Sequence, residues 1–109
     1  MPQSVGGTPE VTARILHGAW DDLQELAVFY EKQSPGLGSI CVHDVLDQIQ
    51  RLEDIAGIHS MWHGRLFKFL PKRFPLAVFY NIVGDEVRVH AILDGRRNLR
   101  DNERRLSER

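Results

Sequence analysis

The sequence predicts an α+β domain of order β-α-α-β-β-β, in which a helix hairpin covers one face of a mainly antiparallel sheet. Apolar residues recur at helical spacing through two adjacent stretches of the first half, while the second half runs apolar or alternates over short segments rich in Val, Ile and Phe. Gly and Pro stand where the pattern changes. With 109 residues, 42% of them hydrophobic, the chain suffices for one core and not for two. The expected organisation is a flexible tail over residues 1–10 and a single domain over residues 11–109.

Each element has its own signal. Residues 11–16 (VTARIL) are short and rich in β-formers. Over residues 18–33, Trp20, Leu23, Ala27 and Tyr30 form one helical face that Leu26 widens, and Asp21, Asp22 and Glu25 crowd its start, where carboxylates favour the helix dipole. Ser34-Pro35-Gly36 stops this helix. Val42, Val45, Leu46, Ile49, Leu52 and Ala56 continue at helical spacing, with Ser39 as the expected cap and Gly57 as the left-handed terminator. Three strands follow. Residues 65–70 end at Pro71, residues 76–83 are apolar enough for a central strand, and residues 86–93 follow through the tight turn at Gly84-Asp85. Val87, Val89, Ala91 and Leu93 are expected to share a buried face, opposite Glu86, Arg88 and His90. The charged end, residues 98–109, is read as a short helix.

Composition narrows the functional classes. The N-terminal MPQSVGGTPE has neither the basic region nor the apolar core of a secretory signal, and no stretch approaches the roughly 18 apolar residues of a membrane span. The single Cys41 cannot form an internal disulfide. A cytoplasmic protein without membrane association is expected. Residues 1–61 carry three basic side chains against nine carboxylates, a net −6, whereas residues 62–109 carry eleven against six, a net +5. The basic half suits an anionic partner, nucleic acid or an acidic protein segment.

The candidate binding residues are therefore cations: Arg65, Lys68, Lys72, Arg73, Arg96 and Arg97, with Arg100, Arg104 and Arg105 beyond. In an antiparallel meander the end of the last strand returns to the start of the hairpin, which would set Arg96 and Arg97 near Lys72 and Arg73. Guanidinium groups gathered there could hold phosphate or carboxylate in bidentate fashion. The structural alternative is that Asp94 pairs with Arg96 or Arg97 to close the strand. His59 and His63 are four apart but lack a convincing third ligand, so no metal and no cofactor is expected. His90 beside Arg88 is a possible general base or a plain surface histidine. Cys41 is either a helix-start thiol of lowered pKa or a small core residue. The aromatics Trp20, Tyr30, Phe67, Phe69, Phe79 and Tyr80 read as core, with Tyr80 left open as a stacking residue.

The element order, the helix hairpin broken at SPGLG and the string GRLFKFLPKRFPLAVFYNIVGDEVRVHAILDGRRNL resemble the RelE/ParE superfamily of type II toxin–antitoxin systems over about residues 11–106. KRFPLAVFY, the short turn and the apolar strand ending in paired arginines are the most specific part. The resemblance implies a cognate antitoxin, acidic and partly disordered, as partner, and one of two activities: ParE-like members poison DNA gyrase, and RelE-like members cut messenger RNA on the ribosome. A relative that keeps antitoxin binding without toxicity is a third possibility, and a homo-oligomer is compatible with all three. Of the RelE-type residues, the first lysine falls on Lys68 and the terminal arginine near Arg97. The second lysine falls on Leu70, the early arginine at Ala77 and the tyrosine near Glu103. With much of the nuclease set missing, the resemblance favours a ParE-like growth inhibitor that acts through gyrase, of the kind that stabilises plasmids.

Overall fold

The computed structural model describes residues 12–55, 60–62, 65–95, 104 and 106. Its elements are β1 (Thr12–Ile15), α1 (His17–Gln33), α2 (Leu37–Ile55), β2 (Ser60–Trp62), β3 (Leu66–Phe69), β4 (Leu76–Val83) and β5 (Glu86–Asp94). The strands form one sheet of order β1-β5-β4-β3-β2. All neighbouring pairs are antiparallel except β1 with β5. This is the α+β architecture expected, with one strand more. β2 is only three residues long and sits among Gly57, His59, His63 and Gly64, too short for an alternating pattern to register.

The two helices pack on one face of the sheet. Ala19, Leu23, Leu26 and Tyr30 of α1 and Cys41, Val45, Ile49 and Leu52 of α2 meet Leu76, Val78 and Tyr80 of β4 and Val87, Val89 and Ile92 of β5. Tyr80 is fully buried and its ring stacks on Phe67 at 5.2 Å, so it is a core residue and not a platform for bases. Trp20 departs from the expected stripe and is 38% exposed. The buried face of α1 is Ala19, Asp22, Leu23, Leu26 and Tyr30, and it includes a carboxylate.

That carboxylate is Asp22. β1 ends at Ile15, and Leu16 N–H makes the last bond to Val89 O at 3.0 Å. Further along β5 the Ile92 N–H has no strand beside it and donates to Asp22 Oδ2 at 3.0 Å. Asp22 is 4% exposed, so it does not serve the helix dipole from solvent, and the first turn of α1 contains no acidic residue. Asp21 instead lies 3.4 Å from His17, one turn earlier. Glu53 Oε2 plays a matching part on β1, where it accepts the Ala13 N–H at 3.1 Å.

The helix hairpin is closed by Glu31 and not by Ser39. α2 begins at Leu37, which places exposed Ser39 inside the first turn. The Glu31 carboxylate accepts the Gly36 N–H at 2.9 Å and the Gly38 N–H at 3.0 Å, satisfying donors that a helix start otherwise leaves orphaned. Gly36 adopts φ +88°, which glycine tolerates without strain. A Cβ at Gly38 would lie 2.4 Å from the Ala27 carbonyl oxygen, so this glycine sets how closely α2 approaches α1. Gly57, the expected terminator of α2, lies outside the described residues.

β5 carries the largest departure from the sequence pattern. Phe79 pairs with Ala91 and Tyr80 with Val89, which leaves His90 as an extra residue on β5. Such a bulge shifts the alternation by one. Val87 and Val89 face the helices, whereas Ala91 and Leu93 turn to the other face and Ile92 takes their place in the main core. The four residues expected on one face are thus divided between two.

Candidate functional site

The sheet face away from the helices gathers the polar chemistry. Leu66, Ala77, Phe79, Ala91, Leu93 and Leu106 make a second apolar cluster there, and Leu106 brings the C-terminal segment onto the sheet with 1% of its surface exposed. Strand alternation places Lys68 on the face of Leu66 and Asn81 on the face of Ala77 and Phe79. Opposite Val87 and Val89, Glu86 and Arg88 also point this way, and Arg88 Nε donates to Glu86 Oε1 at 2.6 Å. The guanidinium of Arg88 is thereby offset by a carboxylate on its own strand.

The bulge turns His90 toward this face as well. Its Nε2 lies 3.0 Å from Asn81 Oδ1 on β4, and with Arg65, Leu66 and Leu106 the pair lines a cleft of about 250 Å³. His90 is half-buried and shares this face with Arg88. Two of these residues escaped the sequence reading, although each left a signal. Asn81 is the one polar residue within LAVFYNIV, and Leu106 is the one apolar residue of the end RDNERRLSER.

The described candidate cations fall in two places. Arg65, just before β3, lines the same cleft as His90 and Asn81, and Lys68 shares their face. Lys72 and Arg73 are exposed in the bend between β3 and β4, at the other end of β3. There Leu76 pairs with Asp94, and the Gly95 N–H donates to Pro75 O at 2.8 Å. β5 therefore returns to the start of β4, but Arg96, Arg97, Arg100 and Arg105 lie outside the described residues, as do His59, His63 and Glu103. Arg104 is described and exposed. Among the described residues no group of three or more His, Cys, Asp or Glu is placed to hold a metal ion, and no helix is long and apolar enough to cross a membrane.

Cys41 is the core residue, not the activated thiol. It is fully buried in the helix layer, and burial first, then the charge of Asp44, pushes its pKa up from 9.0 to about 11. On the opposite side of the molecule a smaller cleft of about 120 Å³ lies between α1 and the end of β5, with Asp22, Glu25 and Asp94 in its lining. The two faces of the protein thus differ in character: carboxylates mark the helix side, while cations and His90 mark the outer sheet face.

No family model matches the sequence, and no curated protein matches it. A solved structure of the chromosomal ParDE TA system from P. aeruginosa contains a chain that superposes with a TM-score of 0.70 at 20% sequence identity. The match covers 78% of this chain and 96% of that one. Nearly the whole of the ParDE chain is reproduced by the helix hairpin and sheet described above, so the fold implied by the sequence resemblance is the fold of this protein.

Proposed function

We propose that this chain is the toxin of a type II toxin–antitoxin pair, held by a cognate antitoxin, and that it inhibits growth in the cytoplasm through DNA gyrase. The toxin role is supported by the fold shared with a chain of a ParDE system together with the KRFPLAVFY string. The choice of gyrase over messenger RNA rests on one observation, the setting of Ala77. A RelE-like site wants an arginine at this position, yet Ala77 is 1% exposed and packed in the second apolar cluster, where a guanidinium has no room. Leu70, where a second lysine belongs, is apolar too. RNA cleavage through the ribose 2′-hydroxyl needs a base, an acid and stabilisation of the charged phosphorane, and this surface supplies only part of that set.

Induction of the chain in cells is the deciding experiment. Gyrase poisoning should trigger the DNA-damage response and leave gyrase trapped on cleaved DNA while messenger ends stay unchanged. If primer extension instead shows new messenger ends and the DNA remains intact, the gyrase assignment fails. Arg96 and Arg97 belong to the same proposal. Replacing both with alanine should reduce growth arrest or antitoxin affinity about ten- to a hundredfold, the loss of one charge-assisted hydrogen bond, with the melting temperature unchanged. A double variant that melts early would assign them to structure instead, as partners of Asp94.

A further inference from the structure

We propose that Asp22 and Glu53 close one edge of the sheet against strand addition by a second copy of this chain, with Glu53 as the gatekeeper of β1. β1 is the outermost strand on that side, and it covers β5 only from Glu86 to Val89. The edge therefore has two stretches, the outer side of β1 and the part of β5 beyond its reach. Thr12 N–H bonds to Asp85 O and Leu16 N–H to Val89 O, both at 3.0 Å, so these residues turn their backbone donors inward to β5. By alternation Ala13 and Ile15 turn theirs outward. An outward row of N–H and C=O groups is the template on which a further strand is added.

Each stretch gives a donor to a helix carboxylate. Ala13 N–H goes to Glu53 Oε2 at 3.1 Å, a residue forty positions away on α2. Ile92 N–H goes to Asp22 Oδ2 at 3.0 Å on α1. Two different helices thus supply the same group to the same edge. The carboxylate occupies the N–H, and a strand laid over it would have to bury its charge. A second copy is the partner this edge fits. Two β1 strands can pair antiparallel about a two-fold axis with Ala13 opposite its counterpart, which sets Arg14 opposite Thr12 and brings no like charges face to face. In that arrangement the two Ala13 residues exchange both of their backbone hydrogen bonds. The N–H at the centre of the pairing is the one that Glu53 holds.

Glu53→Ala, a change of a half-buried residue, tests the proposal. In sedimentation equilibrium of the full chain this variant should self-associate at least about tenfold more tightly than the native chain, the worth of one hydrogen bond regained. Glu53→Gln, which keeps an acceptor, should stay close to the native chain. Adding Ala13→Pro to Glu53→Ala removes the outward donor and spares the ladder to β5, so it should restore the native behaviour. Amide exchange locates the contact. In Glu53→Ala the Ala13 N–H should exchange fast in dilute protein and be protected in concentrated protein. A Glu53→Ala chain that associates no more tightly than the native one, association that Ala13→Pro leaves intact, Glu53→Gln associating like Glu53→Ala, or Ala13 exchange independent of concentration would each overturn the proposal. A Glu53→Ala chain that only melts earlier would do so too, by confining Glu53 to holding β1 on α2.

Discussion

Asp22 shows how one side chain can serve two elements at once. It sits on the buried face of α1 and accepts the N–H of Ile92, a β5 residue that β1 is too short to reach. Asp22→Ala leaves that buried donor unpaired and should cost about 1–3 kcal/mol in urea unfolding, while Asp22→Asn keeps an acceptor and should cost less. Gly38→Ala tests close packing of the helices. Its Cβ would meet the Ala27 carbonyl oxygen at 2.4 Å, and overpacking of this kind costs about 1–3 kcal/mol. Cys41 gives a signature in alkali. Because its pKa is raised from 9.0 to about 11, the native state keeps a proton that the unfolded chain releases between those values. Stability should therefore fall as pH rises through that window, and Cys41→Ala should flatten this part of the profile. Asp22 looked like a dipole residue in the sequence because periodicity reports which face is apolar; it cannot report that a distant N–H needs an acceptor.

At the scale of elements, the helices and the central strand were legible because their signals are local. The α2 stripe of Val45, Ile49 and Leu52 and the nearly continuous apolar run of β4 identify themselves within a few residues. The division of β5 was not legible. Val87 to Leu93 reads as unbroken alternation, and only the pairing with Phe79 and Tyr80 shows that His90 is extra. His90→Ala should preserve the bulge and cost little, whereas deletion of His90 should turn Ala91 and Leu93 toward the helices and Ile92 away. The deletion variant is expected to lose cooperative unfolding. If both variants melt alike, the register described for β5 is wrong. The same bulge explains why the Asn81–His90 contact could not be seen in the sequence, since strict alternation says nothing of how an inserted residue is aimed.

For the molecule as a whole, charge was legible in amount but not in placement. The sequence gives a basic second half, and the structure divides its described cations between the outer face, near Arg65 and Lys68, and the bend at Lys72 and Arg73. An acidic antitoxin that is steered by this field should associate more slowly as salt rises, because exposed charges are screened over about 8 Å at physiological ionic strength. Stopped-flow association from low to high salt reads this directly. A rate that ignores ionic strength would remove the electrostatic part of the proposed partnership.

The pairing of β1 with β5 also orders events in time. Thr12 is made before the helix hairpin, yet its partner across the sheet is Glu86. The helix hairpin between them, with both Glu31 hydrogen bonds internal to it, is complete once residue 55 has emerged. β1 must wait beside it until β5 leaves the ribosome. A nascent chain stalled before β5 therefore has no finished sheet and no outer face. Whatever this protein binds there, it acquires that ability only once β5 has been made.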